Sequence, residues 1–259
     1  MLPRIELLKG IESREVAARV IDLAEQAIKT WEVVVTDFLS PPEQVEIRQI
    51  FDRLTEVQLV FWGGYPQAER QRGAIARADL PLTPESVTLA AVDITGNFLF
   101  DAATHRDFLG SLLGCGIVRE KTGDIIILGE RGAQAIVTPE MVEFLTLHLQ
   151  QVRSVPVKAR PIPLEELKIR EPKKKELTTV EASLRLDAIA SAGFGLSRSK
   201  MVDFINSGDV RVNWKDINQS SYNLKTGDLV ALRGKGRLEI GEIMVTKKER
   251  YRVQLTRFV

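Results

Sequence analysis

Apolar residues recur at helical spacing in two segments of the first third of the chain. Residues 12–29 place aliphatic side chains three and four positions apart, with charged residues on the other side. Residues 43–54 repeat this pattern directly after two prolines, which suit the first turn of a helix. A strand-like run separates the two helices, and residues 57–65 form a second one that ends in a Gly-Gly turn. The pattern predicts a small α/β unit over residues 1–75, with no element assigned to the polar stretch 68–76.

The middle of the chain has a different order of elements, strand, helix, strand, strand, helix, strand. That order is typical of a ferredoxin-like or RRM-like domain, which we predict for residues 76–160. The segments are a strand at 86–94, a helix at 105–117, a hairpin at 122–138, a helix at 139–152 and an edge strand at 152–162.

A basic, proline-containing stretch follows at residues 161–178 and includes the run Lys173-Lys174-Lys175, so we predict a linker there. Residues 179–259 have the pattern of a compact module. A first helix is predicted to end at Gly193, Ser197 is placed to cap a second helix, and short strands follow. The predicted fold class is therefore α+β in three parts.

Composition narrows the classes of protein that fit. The 259 residues suffice for two or three domains, and 44% are hydrophobic, which is enough for packed cores. No apolar run approaches the roughly 18 residues that span a bilayer, and the amino terminus lacks an apolar signal core. The single Cys115 forms neither an internal disulfide nor a zinc site with His105 and His148. We expect a cytoplasmic protein without membrane insertion, metal or cofactor.

Charge is distributed unevenly along the chain, although the net charge is only +1. Residues 1–152 contain 14 basic and 22 acidic side chains, whereas residues 153–259 contain 22 basic and 13 acidic ones. A basic carboxyl-terminal part indicates a polyanionic partner, most often a nucleic acid. The acidic amino-terminal part is expected to meet a protein partner or to face away from RNA.

The carboxyl-terminal module places basic residues on short elements in a pattern that suits RNA. The start of its second helix offers unpaired N–H groups and the positive end of a helix dipole, which favour phosphate. The next strand alternates valines with outward polar residues. We predict one basic face for structured RNA, since A-form RNA is recognised through shape, phosphates and 2′-hydroxyls. Its residues are Arg185, Arg198, Ser199, Lys200, Arg211, Asn213 and Lys215.

These residues carry a resemblance to the S4-type RNA-binding domain. The matching signals are Arg185-Leu186-Asp187, the helix start Ser197-Arg198-Ser199-Lys200, Gly208, and Val210 to Asn213 with Lys215. Domains of this type also occur in pseudouridine synthases, methyltransferases and tyrosyl-tRNA synthetases. The resemblance therefore implies RNA binding without deciding the function.

The rest of the chain resembles the YlmH-type family, which has an RRM-like domain before the S4-type domain. The resemblance rests on FLSPPEQ (38–44), WGGYPQAERQR (62–72) and residues 105–128. The cyanobacterial and plastid branch, the photosystem II S4 domain proteins, is the most similar. The family relation implies binding to the large ribosomal subunit and tRNA, a role in rescuing obstructed translation, and a link to photosystem II biogenesis.

Further basic residues are candidates for secondary RNA contacts, although structural roles explain them as well. They are His105, Arg106, Arg119, Lys121, Lys173, Lys174 and Lys175. The middle segment lacks the aromatic pairs with which RRM domains stack bases. Trp214 is expected either to stack on a base or to close the module by hydrophobic packing.

Two other classes of function stay open. An RNA-modifying enzyme would use the module to capture substrate, and Arg185-Leu186-Asp187 has the letters of a pseudouridine synthase signature, but no large catalytic domain follows it. A scaffold for photosynthetic assembly would bind protein instead of RNA.

Overall fold

The computed structural model describes residues 2–169 and 173–258. The chain divides after Ile169 into two compact units. In these two stretches, no helix is both long and apolar enough to cross a membrane.

The first part of the N-terminal unit is a three-stranded sheet with helices packed on it. Its order is β1-β3-β2, and both pairings are antiparallel. The capping box of Ser40 and Glu43 begins the third helix at the predicted proline pair. The elements are α1 (Arg4–Leu7), α2 (Arg14–Thr30), β1 (Val34–Val35), α3 (Pro41–Phe51), β2 (Val57–Trp62) and β3 (Arg72–Arg77).

Strand β3 lies at the centre of this sheet, in the stretch that the sequence left unassigned. Arg72 begins it and is only 6% exposed, because its guanidinium donates to the carbonyls of Thr36 and Thr88. Gly73 leaves room for Leu59 and Phe61, whose side chains approach its backbone closely. A central strand that begins with a buried arginine and a glycine has no apolar alternation to reveal it.

The second part of the unit confirms the ferredoxin-like prediction. Its strand order is β5-β6-β4-β8-β7 with antiparallel neighbours, and two helices pack with the sheet around one apolar core. The predicted edge strand is β8, although the two-residue β7 extends the sheet beyond it. The elements are β4 (Ala90–Gly96), α4 (His105–Gly114), β5 (Thr122–Ile127), β6 (Gly132–Val137), α5 (Met141–His148), β7 (Gln151–Val152) and β8 (Val155–Ile162).

Both faces of this second sheet are covered at its central strand β6. All six residues of β6 are buried, so its side chains meet protein on the helix side and on the other side. Ile136 lies against Gly64 and is fully buried. The side chain of Gln134 accepts a hydrogen bond from the Lys168 backbone N–H at 2.7 Å and donates to the Glu166 carbonyl at 3.2 Å. The sheet face that RRM domains use for RNA is therefore occupied at β6, whereas alternate residues of β8 are exposed.

A polar cluster joins the two parts of the N-terminal unit. The Asp124 carboxylate accepts hydrogen bonds from the Tyr65 hydroxyl at 2.8 Å and from the Glu69 and Arg70 backbone N–H groups. The ring of Phe38 packs so closely on Gly123 that a Cβ there would lie 2.6 Å from it. Residues 2–169 thus form one body.

The C-terminal unit is a six-stranded antiparallel sheet with two helices on one face. Its order is β11-β10-β12-β13-β14-β9, and the helices share one core with the inward side chains of the strands. The elements are β9 (Lys174–Glu181), α6 (Leu186–Phe194), α7 (Arg198–Asn206), β10 (Val210–Val212), β11 (Lys215–Asp216), β12 (Leu229–Leu232), β13 (Gly236–Val245) and β14 (Tyr251–Phe258).

Two details of the predicted C-terminal part need correction. The predicted linker 161–178 contains ordered elements at both ends, since β8 runs to Ile162 and β9 begins at Lys174 and pairs with β14. The first helix does not end at Gly193. Gly195, with φ +66°, is its left-handed C-cap, while Gly193 is buried in the helix, where a Cβ would overlap Leu238.

Candidate nucleic-acid interface

A buried carboxylate organises the starts of the two C-terminal helices. The Asp187 side chain is 4% exposed and lies in the first turn of α6. Arg185, at the N-cap position, donates to it at 3.1 and 2.9 Å, and Arg198, the first residue of α7, donates at 3.2 and 3.2 Å. Burial opposes ionisation of Asp187, but the two arginines outweigh it and lower its pKa. Asp187 is therefore an anion that holds two guanidinium groups in place.

The two arginines present their outer edges to solvent. Their side chains are 36% and 56% exposed, for Arg185 and Arg198 respectively. A guanidinium has five N–H donors, and each arginine uses two of them on Asp187. The rest point away from the carboxylate, in the fork geometry that suits phosphate.

The first turn of α7 adds the helix terminus to these arginines. Ser197 caps the helix as predicted, because its Oγ accepts the Lys200 backbone N–H at 3.3 Å. Ser199 Oγ lies 3.2 Å from Ser197 Oγ, and Arg198, Ser199 and Lys200 are all exposed. This turn contains no acidic side chain. The structure thus brings Arg185, Arg198, Ser199 and Lys200 together, and we call this group the helix-start face.

The remaining predicted residues lie elsewhere in the unit. Val210 and Val212 belong to the core beneath the helices, so Arg211 projects from the other side of the sheet, which we call the outer face. There its Nε donates to Asp216 at 2.7 Å. Lys215, on the adjoining strand β11, is exposed and lies in register with Val212, so it projects to the helix side of the sheet. The single basic face of the sequence prediction is therefore divided, because Arg211 and Lys215 project to opposite sides of the sheet.

Asn213 has a local structural role. Its side chain donates to Asp228 at 2.8 Å and accepts the Leu229 backbone N–H at 2.9 Å. These bonds fix the turn between β10 and β11. They occupy the Asn213 side-chain amide, which was predicted to contact RNA.

Trp214 follows Asn213 in that turn and is half-buried. Its ring lies beside the Arg237 guanidinium, 6.0 Å from ring centre to Cζ. It also lines an open cavity of about 440 Å³ on the outer face. The other lining residues are Asp209, Arg211, Ala231, Leu232 and Arg233.

In the middle domain, His105 and Arg106 do not cap the helix. Thr104 is the N-cap and forms a capping box with Asp107, so His105 and Arg106 are the first two helical residues and are exposed. Partial desolvation and the nearby Arg119 charge lower the pKa of His105. Both residues stay accessible to an RNA backbone.

Arg119 and Lys121 are engaged within the protein. Arg119 Nη1 donates to the carbonyls of Thr122 at 2.6 Å and Gly123 at 3.2 Å, and burial beside Arg70 lowers its pKa to about 10. Lys121 Nζ contacts Asp37 at 2.7 Å and Glu140 at 3.0 Å, and its bond to Asp37 is the main cause of its raised pKa. These contacts favour the structural role that the sequence left open.

The lysine run lies where the C-terminal sheet begins. Lys173 precedes β9, and Lys174 and Lys175 are exposed residues of that edge strand. Lys174 Nζ lies 5.7 Å from the centre of the Phe258 ring on β14. Lys174 and Lys175 are thus held by strand pairing and are not part of a linker.

Sequence reasoning missed the basic and aromatic side chains of the outer face. Arg233, Arg237 and Phe258 lie on or beside β12 to β14, in strands whose alternation was visible but was not used to assign faces. Reading which side of each strand is polar would have found them.

A reactive thiol and a metal site have little support in the described parts of the chain. Burial raises the pKa of the Cys115 thiol, whose Sγ lies 3.8 Å from the His148 carbonyl. Within residues 2–169 and 173–258, no three His, Cys, Asp or Glu side chains form a group that could hold a metal ion.

Comparisons with known families match three successive parts of the chain. Residues 12–80 match "YlmH, N-terminal", residues 83–166 match "Putative RNA-binding domain in YlmH", and residues 184–230 match "S4 domain". A solved structure, cell division protein ylmH from Streptococcus pneumoniae, superposes with a TM-score of 0.53 at 17% identity. It covers 61% of this chain and 96% of that one, and it supports the fold alone.

Two curated proteins are similar in sequence. Small ribosomal subunit protein uS4 of Natranaerobius thermophilus is 36% identical over 92 residues, which are 32% of this chain and 44% of that protein. Ribosome-associated protein quality control protein P2 of Bacillus subtilis (strain 168) is 34% identical over 224 residues, 86% of each chain. With its three family matches in this order, the chain belongs to the YlmH family of S4-domain proteins.

Proposed function

We propose that this protein binds structured ribosomal RNA through the helix-start face and acts without catalysis. The observation that carries the proposal is the Asp187 carboxylate, which fixes Arg185 and Arg198 beside the open first turn of α7. Fixed guanidinium groups lose little conformational freedom when they bind phosphate. A helix terminus adds N–H donors at the same place.

The names of the relatives support a ribosomal target. One is called ribosome-associated and the other is a ribosomal protein. At a finer level, we propose the large subunit and tRNA as the RNA and rescue of obstructed translation as the process. Such a protein would work in the cytoplasm, where ribosomes are. The acidic N-terminal half would serve a protein partner.

A link to photosystem II belongs to the same finer level of the proposal. If the chain comes from the photosystem II branch, its effect on photosystem assembly would follow from translation. Loss of the gene in a phototroph would then slow synthesis of photosystem proteins before it changed assembled complexes, as pulse labelling would measure. Normal synthesis with defective assembly would contradict this order of events.

The geometry gives no support to the enzyme alternative. Asp187 would be the catalytic residue of a pseudouridine synthase-like signature, yet both of its oxygens accept hydrogen bonds from arginines and its side chain is 4% exposed. A carboxylate in this state has no access to a nucleotide. We therefore assign it to orientation of the arginines.

The test of RNA binding is a charge reversal with a matched control. The double variant R198E/K200E should weaken binding to a structured ribosomal RNA fragment at least tenfold. It should also flatten the log–log salt dependence by about 2, because each lost phosphate contact removes roughly 0.9 from the slope.

The control K247E/K248E makes the same change in charge at two exposed lysines in the turn between β13 and β14. We expect it to bind nearly as well as the wild type. Equal weakening in the two double variants would mean that only net charge matters, and the helix-start face would be wrong.

A further inference from the structure

The outer face of the C-terminal sheet carries a row of cations and aromatic rings. In the strand register, Arg211 of β10 lies beside Ala231, Ala231 beside Arg237, Arg237 beside Phe258, and Phe258 beside Lys174. Neighbouring residues in register project to the same side of a sheet, so these side chains share the outer face. The row crosses four inter-strand steps, about 19 Å. We call it the cross-sheet row.

Trp214 extends this row, although a tryptophan does not suit the turn in which it lies. Asn213 and Trp214 both have positive φ, at 49° and 69°, in the two-residue connection between β10 and β11. Such a turn normally has Asn-Gly, because a side chain at the second position is strained. Tryptophan is therefore a costly choice for the turn itself. Its ring instead lies over the outer face, beside Arg237 and the 440 Å³ cavity.

The charges around the row favour an anion. Lys173 and Lys235 lie at the same end of the sheet as the row, next to Lys174 and Gly236. Arg211 and Arg233 line the cavity, where Asp216 and Asp209 pair with them at 2.7 and 3.7 Å. Glu176 and Glu239 lie one register step further along and limit the basic area on that side.

We propose that the cross-sheet row and Trp214 bind unpaired nucleotides of an RNA, with Trp214 and Phe258 as stacking platforms. Half-buried aromatic rings with one face open between cations suit single strands, since bases stack on the rings and cations track the phosphates. Paired bases are already stacked on one another, so a duplex gains nothing from the rings. The inference rests on the proposed function, because it adds a single-strand site to a protein that binds structured RNA.

The experiment compares two RNAs that share one duplex, a blunt form and a form with a five-nucleotide single-stranded overhang. Full-length protein is titrated with each fluorescently labelled RNA, and the affinity ratio is measured by anisotropy. The wild type should prefer the overhang by about 5- to 150-fold, the range that stacking of one base gives.

The decisive variant is W214G, which puts the residue that the turn prefers at this position, so the fold should be retained. We expect it to lose the preference for the overhang while its affinity for the blunt duplex is unchanged. W214F keeps a ring and should keep most of the preference. W31G is the matched control, because Trp31 also has positive φ (61°) but lies at the end of α2, in the other unit.

The two proposals fail separately in this design. A wild type that binds both RNAs equally, or a W214G that keeps the preference, would overturn the single-strand site and leave the outer face to a protein partner. If the affinity for the blunt duplex were the same in R198E/K200E as in the wild type, the helix-start face would be overturned instead. If neither RNA bound, both proposals would be wrong.

Discussion

At the scale of single residues, Asp187 makes the sharpest prediction. The variant D187N should bind structured RNA several-fold more weakly than the wild type, although it removes a negative charge next to the proposed site. The reason is that a neutral amide cannot orient two guanidinium groups as a carboxylate does. Anisotropy titration with a ribosomal RNA fragment measures the effect.

The control is D203N, which neutralises an exposed carboxylate on the same helix α7. It should bind RNA as well as the wild type or slightly better. D187N should also lower the free energy of unfolding of the C-terminal unit by about 1–3 kcal/mol, because it replaces charge-assisted hydrogen bonds to a buried carboxylate by weaker neutral ones. If D187N bound as tightly as D203N, the orienting role of Asp187 would be wrong.

The lowered pKa of Asp187 sets the direction of its pH dependence. A depressed folded-state pKa stabilises the protein above the unfolded pKa, about 4 for aspartate, and this stabilisation is lost as the pH falls through the folded value. The stability difference between wild type and D187N should therefore be full at pH 6 and shrink in acid.

Residue identity predicted which side chains lie at the start of α7 but not which partners other polar residues contact. Arg198 and Lys200 were recognisable because a capped helix start defines its own geometry. Asn213 and Arg119 look like ligand residues in sequence, yet both use their hydrogen bonds on nearby backbone or side-chain atoms. Which partner a polar side chain uses depends on tertiary contacts that spacing does not reveal.

At the scale of elements, two glycines of α6 have opposite reasons to be glycine. In G193A, the new Cβ would overlap the buried Leu238 side chain, so the variant should lose about 1–3 kcal/mol despite the better helix propensity of alanine. In G195A, no atom lies within 4 Å, and only the left-handed φ of +66° costs about 1 kcal/mol. Urea unfolding compares them, and a G193A as stable as the wild type would contradict the close packing.

Strands could be predicted from the sequence where one face is buried and the opposite face is exposed to solvent. The strands of the C-terminal sheet alternate clearly because helices cover only one side of it. Strand β3 was missed because it is buried and begins with Arg72 and Gly73, whose partners are distant in sequence. Strand β9 was missed because its lysines look like a linker until β14 pairs with them.

At the scale of the whole molecule, the division after Ile169 predicts where a protease cuts first. Lys168 and Lys173 lie outside the helices and strands, one on each side of the boundary between the two compact units. Brief trypsin treatment should therefore yield two stable fragments separated near these residues. The basic C-terminal fragment should retain RNA and the acidic N-terminal fragment should not. Early cuts near residue 75 would contradict the joining of the first two predicted domains into one body.

The contact between Phe38 and Gly123 has a consequence for the timing of synthesis. The ring of Phe38 is 1% exposed, and part of its cover is the Gly123 backbone, which is translated 85 residues later. At bacterial elongation rates of roughly 5–20 residues per second, a ribosome needs about 4 to 17 seconds to supply that cover. During this interval the newly made amino terminus carries an unburied aromatic side chain. A nascent chain of this protein that stalls before residue 123 therefore leaves this ring accessible to chaperones and proteases.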